Sequence, residues 1–270
     1  MWFKNLLYIF ILLKCFFWAL NFDLLFGENA LSYVNSTAVS LTDYKNAISY
    51  SKHFAYVLLY SSTSWHSVLA LTLVAFISLF SLAKRSYIVM DLLLFFLLVN
   101  INFKIYTSTT AGDPLMTNLC FLSVFLRKEF MRKEGIWGDL KVLLHNFSFL
   151  ALIVQVCIVY VYSAMAKWID DDWVNGDAIT LVNKAVHYSN YFLINNADTL
   201  HPISLVITYF ILMYQTVFPI FVFLPKIKKY FLNMGVLMHL YIAFVMGLFF
   251  FGLIMALTYI LFYDFEKVED

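Results

Sequence analysis

Apolar runs separated by short polar stretches divide the chain into windows at 6–20, 65–83, 87–103, 114–126, 143–165, 202–224 and 232–262. An open strand cannot satisfy its backbone groups in hydrocarbon, so segments this apolar read as helices. The fold this pattern predicts is all-α: a polytopic integral membrane helical bundle of about seven spans, forming a single domain over 1–270. The fourth window, about 13 residues, is short for a span and is either a crossing or a re-entrant segment. The last covers about 31 residues, roughly 46 Å at the helical rise, and must tilt, kink or project. Gly247 and Gly252 mark where it bends or packs closely against a neighbour.

The basic residues set the expected sidedness. With a cytoplasmic N-terminus and seven crossings, Lys4, Lys84, Arg85, the 127–133 cluster, Lys141 and the lysines at 226, 228 and 229 share the inner face. That distribution obeys the positive-inside bias. It puts the C-terminus outside, together with two exterior loops at 21–64 and 167–201.

Composition agrees with a membrane solvent. The chain is 63% hydrophobic and 13% charged, where soluble domains carry about 25% charged residues. Its 29 Phe and 18 Tyr suit lipid-facing surfaces and interfacial belts. A net charge of +1 provides no basis for nucleic-acid binding. Cys15, Cys120 and Cys157 lie in apolar stretches without CxxC spacing, so neither a disulfide nor a zinc site is expected. Lys14 interrupts the first window and no small-residue cleavage site follows, so it reads as a retained helix and not a signal peptide. The Asn35-Ser36-Thr37 sequon falls in the first exterior loop.

Ionisable and amide side chains inside the windows are the candidates for function. Lys14 is either functional or a snorkelling lysine. Asp91 reads as an interfacial aspartate, and Asn100 and Asn102 as interhelical hydrogen bonders. Tyr160, Ser163 and Lys167 are spaced i, i+3, i+7 and share a helical face, while Gln155 and Tyr162 share a second. Two polar stripes at the exterior end of one helix suggest a cavity wall; belt aromatics and a boundary lysine are the plainer reading. His239 in the last window is either a buried hydrogen-bonding residue or a proton-handling group. The other histidines are scattered without metal-ligand spacing, so no metal site is expected. Asp113-Pro114 reads as a helix start, with the aspartate capping and placed at the exterior mouth of the same cavity.

Three stretches together resemble the horizontally transferred transmembrane (HTTM) family, the membrane domain of vitamin K-dependent gamma-carboxylase. They are "TTAGDPLMTNLCFLSVFL", "QVCIVYVYSAMAKWIDDDWVNGDAI" and "MHLYIAFVMGLFFFGLIMALTYILF". The resemblance runs from Thr109 to Phe262 and places Gln155, Lys167, Trp173, Gly176 and His239 at motif positions. It implies carboxylase-like chemistry on a quinone, with Lys167 as the base and His239 as a second catalytic candidate. Such a base needs a neutral amine, and Asp170–Asp172, if close, would instead favour its charged form. Where the carboxylase pattern has two adjacent lysines, this chain reads Lys167-Trp168. Stand-alone bacterial relatives, the sporulation-delaying protein B group, imply a role in maturing or exporting a secreted toxin peptide.

The expected function is therefore maturation or export of a secreted protein or peptide, with a quinone or lipid in an exterior polar cavity lined by Gln155, Tyr160, Ser163, Trp173, Gly176 and Asp113. For a bacterial chain the location is the inner membrane. A second expectation is a non-catalytic subunit whose exterior loops dock other secretion or surface proteins. A third, a small-molecule transporter, lacks the internal repeat that many transporter folds carry.

Overall fold

Every apolar window is helical in a computed structural model of the chain, and no strand occurs among the described residues. These are residues 2–27, 64–84, 86–105, 108–131, 135–186, 188–189 and 191–264. The Asn35 sequon, Arg85, Arg132, Lys133, most of the first exterior loop and the tail 265–270 lie outside them. The helices are α1 (Trp2–Leu20), α2 (Phe22–Phe26), α3 (Trp65–Ala83), α4 (Ile88–Lys104), α5 (Gly112–Leu122), α6 (Gly135–Trp168), α7 (Asp171–Val174), α8 (Ala178–Lys184), α9 (Tyr191–Asn196), α10 (His201–Phe221), α11 (Pro225–Phe244), α12 (Phe249–Thr258) and α13 (Ile260–Asp264). Four of them, α1, α3, α6 and α10, are long and apolar enough to cross a membrane. At 17 and 11 residues, α4 and α5 are shorter.

Where one domain is expected over 1–270, the helices cluster into two compact units, Met1–Phe149 and Leu150–Asp270. The division falls inside α6, a helix of 34 residues and so about 51 Å long.

In the first unit, α1 packs on α3, α3 on α4, and α4 on α5. Charge is buried and apolar surface is exposed, the reverse of a soluble protein. Asp91 on α4 accepts hydrogen bonds from Lys4 Nζ at 2.7 Å, from Tyr8 Oη at 2.5 Å and from the Arg127 guanidinium. Arg127 also donates to the carbonyls of Val124 and Ser86, and its backbone N–H donates to His145 Nδ1 at 3.1 Å. Asp91 is 1% exposed, so the interfacial aspartate of the sequence reading is in fact the centre of a buried ionic cluster. A lone carboxylate there would be too costly; two cations and a phenol make it tenable.

About ten residues along α1, Lys14 reaches Asp113 Oδ1 at 2.8 Å. It does not snorkel, because a carboxylate is available at its own depth. Asp113 Oδ2 accepts from the backbone N–H and hydroxyl of Thr110, at 2.8 and 3.0 Å. The helix opens at Gly112, so Asp113 lies in the first turn and reaches back instead of capping forward. Asn102 donates to Thr117 Oγ1 at 2.9 Å and to the Asp113 carbonyl at 3.3 Å, tying α4 to α5 as interhelical bonding predicts. Asn100 bonds within its own helix, to the Phe96 carbonyl. These contacts make α1 and α4 run in the same direction and α5 run against both: Lys4, Asp91 and Arg127 meet at one end, and Lys14, Asn102 and Asp113 meet further along.

In the second unit, α8 and α10 pack together, and α11 packs on α12. The window 232–262 is not one helix. Gly247 has φ +72°, a conformation that a side chain resists, and the chain reverses between α11 and α12. A Cβ at Gly252 would lie 2.3 Å from the His239 carbonyl oxygen and 2.7 Å from Ala243 Cβ, so α12 rests directly on the α11 backbone. Further back, Tyr263 Oη donates to Asn233 Oδ1 at 2.8 Å. Contacts that run backward along α11 as they run forward along α12 define an antiparallel hairpin. The bend and the close packing expected of the two glycines are both present, and the window folds back on itself.

Candidate functional site

The residues singled out by sequence fall into three places. Asp113 belongs to the first unit, engaged by Lys14 and Thr110. The others lie in the second unit, where all but Gln155 join one of two clusters along α6.

The outer cluster forms at the end of α6. Lys167 Nζ donates to Ser163 Oγ at 2.8 Å, one turn back, and Ser163 Oγ donates to Gln215 Oε1 at 3.1 Å on α10. The Lys167 ammonium stands 4.7 Å from the centroid of the Trp173 ring, a cation–π contact worth about 0.5–2 kcal/mol. Trp173 is held there by the turn that follows. Asp170 caps α7 by accepting the Asp172 N–H at 3.0 Å, and Gly176 closes the turn at φ +88°. At Gly176 a Cβ would press on Leu205 and Tyr209 at 3.2 Å, while Tyr209 Oη donates to the Val174 carbonyl at 2.9 Å. The motif glycine is thus required by the backbone, and the three aspartates build the turn. Trp168 donates its indole N–H to Thr216 Oγ1 at 3.0 Å.

The inner cluster is a buried ladder of rings. Tyr160 Oη lies 2.6 Å from His239 Nε2 and 2.5 Å from Tyr259 Oη. Tyr259 Oη lies 3.2 Å from Tyr214 Oη, which donates to the Phe231 carbonyl at 3.2 Å. Phe218 stacks on Tyr160 with ring centroids 3.7 Å apart. Gly235 makes room for the hydroxyls: a Cβ there would lie 2.0 Å from Tyr214 Oη and 2.3 Å from Tyr259 Oη.

The helical face expected from the spacing of Tyr160, Ser163 and Lys167 is therefore real and points at α10. Its residues close onto Phe218 and Gln215, and Gln155 is half-buried away from both clusters. The concavity on α6 is an apolar groove of about 510 Å³, lined by residues including Val154, Ile158, Tyr162 and Met165 together with Pro219 and Phe223 of α10. Tyr162, 75% exposed, borders this groove.

Gln215, Tyr214, Tyr259 and Gly235 are site residues that sequence reasoning missed. Gln215 carried a visible signal, an amide inside an apolar window. The tyrosines did not, because 18 of them are spread along the chain. No group of three His, Cys, Asp or Glu side chains among the described residues is placed to hold a metal ion. Comparison with family models, curated proteins and solved structures returns no match.

Proposed function

We propose that the chain is a multi-pass membrane protein with an HTTM-like fold that acts in the maturation or export of a secreted protein or peptide. In this reading Lys167 holds the anionic or electron-rich end of a lipid or quinone. One contrast carries it. Three lysines of the four long apolar helices sit against partners the structure describes, and two of them, Lys4 and Lys14, are paired with buried carboxylates. Lys167 meets a hydroxyl and an indole face instead, and no carboxylate among the described residues comes within 4.0 Å of its amine. Oriented by Ser163 and Trp173 and not ion-paired to a carboxylate among the described residues, this amine is open to an anionic or electron-rich group from outside the chain.

Sidedness is part of the proposal. The shared end of Lys4, Asp91 and Arg127 lies with the basic residues and is assigned to the cytoplasm. The α11–α12 hairpin supports returning the C-terminal end to the side of Lys226, in place of the exterior position that seven crossings require.

The test is Lys167→Gln, which removes the charge and keeps a hydrogen-bonding group. A charge-assisted hydrogen bond is worth about 1.5–3 kcal/mol, so lipid or quinone recovered with the purified protein should fall roughly tenfold or more, and the secreted product should fall with it. Equal recovery from Lys167→Gln and the parent protein defeats the proposal.

A second reading, docking of other membrane or secretion subunits, is favoured by the surface between α6 and α10. There Ile169, Val186, Tyr191 and Phe192 are all exposed, outside the apolar windows. If it holds, a stoichiometric partner co-purifies in mild detergent and is lost from Tyr191→Ala/Phe192→Ala protein.

A further inference from the structure

The tyrosine ladder contains a hydrogen count that fixes the state of His239. Four contacts run in series: His239 Nε2 to Tyr160 Oη, Tyr160 Oη to Tyr259 Oη, Tyr259 Oη to Tyr214 Oη, and Tyr214 Oη to the Phe231 carbonyl. Each needs one hydrogen between its heavy atoms. Three hydroxyls supply three, and the carbonyl supplies none. The fourth must come from the imidazole, and it must sit on Nε2. With the hydrogen on Nδ1 one contact would be two oxygens, or an oxygen and a nitrogen, facing each other with nothing shared. That loss amounts to about one hydrogen bond, a bias of roughly tenfold.

The series therefore runs in one direction. His239 Nε2–H donates to Tyr160, Tyr160 to Tyr259, Tyr259 to Tyr214, and Tyr214 to the Phe231 carbonyl. This leaves His239 Nδ1 as a lone pair. The side chain is 1% exposed, and Nδ1 meets no hydrogen-bond partner among the described residues. Buried nitrogen acceptors are rarely left so. Its surroundings are apolar: the Phe251 ring stands nearly perpendicular with its centroid 6.3 Å away, and Gly252 of α12 packs on the His239 backbone.

We propose that the ladder locks His239 as its Nε2–H tautomer, so that Nδ1 is a standing acceptor site for one neutral hydroxyl donor in the core of the second unit. The chemistry is an O–H aimed at an imidazole nitrogen, supplied either by a confined water or by the hydroxyl of an alcohol or phenol ligand. A cation is a poor fit, since no carboxylate among the described residues contacts the ladder. The lock extends past the residue that touches His239: Tyr214, two links further on, is a positioning residue for the tautomer. This inference does not depend on the role proposed for Lys167.

The test uses the full chain in lipid nanodiscs, labelled with [15N]histidine, and nitrogen NMR of the imidazole ring. The His239 signals are identified as those missing from His239→Gln protein. The expected spectrum has a protonated Nε2 and an unprotonated Nδ1 shifted as a hydrogen-bonded acceptor. A protonated Nδ1 overturns the lock, and an Nδ1 with the shift of an unengaged lone pair overturns the acceptor site. In Tyr214→Phe two contacts remain and three hydrogens serve them, so either tautomer satisfies both. The Nδ1–H form should rise from about one in ten to roughly half. Tyr259→Phe makes the same prediction should Tyr214→Phe fail to fold, and a tautomer unmoved in the folded variant overturns the ladder. Adding a short-chain alkylhydroquinone separates the sources. Movement of the Nδ1 signal assigns the donor to a ligand hydroxyl, and an engaged but unmoved signal assigns it to water.

Discussion

At the scale of single residues, charge is placed where lipid makes it most costly, and is then matched. Lys14 and Asp113 show the consequence. Removing one partner of a buried pair costs about 3–5 kcal/mol, while replacing both by apolar side chains is commonly neutral or better. Lys14→Ala is therefore expected to lower the melting temperature in detergent sharply, and Lys14→Met/Asp113→Leu to recover most of the loss. A double variant as unstable as the single one would show that the pair does more than satisfy itself. Gly235→Ala acts by crowding: its Cβ meets the Tyr214 and Tyr259 hydroxyls, and a loss of about 1–3 kcal/mol should appear in the same melt. Sequence alone marked Lys14, Asp91, Asp113 and His239 as side chains out of place. It could not pair them, because Lys4 and Asp91 are 87 residues apart and only the packing of helices decides which polar groups meet.

At the scale of helices, hydropathy locates each element, since apolar content follows directly from the solvent around it. What it cannot separate is a kinked helix from a hairpin. The window 232–262 is apolar throughout, and the difference lies in Gly247 adopting a left-handed turn and Gly252 admitting a backbone at contact distance. Gly252→Val is predicted to part α11 from α12. Topology can be read with a membrane-impermeant maleimide after Cys15, Cys120 and Cys157 are replaced by alanine. New cysteines at Lys226 and Tyr263 should label from the same side of the membrane. Labelling from opposite sides would restore the single crossing. The Tyr160–Ser163–Lys167 face was legible because helical periodicity needs only spacing, whereas its closure onto Phe218 and Gln215 depends on where α10 lies.

At the scale of the whole molecule, four long apolar helices and an apolar exterior predict that the protein stays in the pellet when membranes are washed with alkaline carbonate. Release into the supernatant would argue against integral insertion. The membrane class was legible from composition, because no soluble surface can be made with so few charges. The division into two units inside one continuous helix was not, since α6 shows no break in hydropathy where the contacts change.

The two lysines of α1 also bear on how the chain is made. Lys4 and Lys14 emerge with the first helix, but their partners Asp91 and Asp113 are synthesised roughly a hundred residues later. Until then, release of α1 into lipid would strand two cations at an insertion penalty of about 2.5–3.5 kcal/mol for one near the helix centre. The first helix is therefore expected to be more stable in lipid with α4 and α5 beside it than alone.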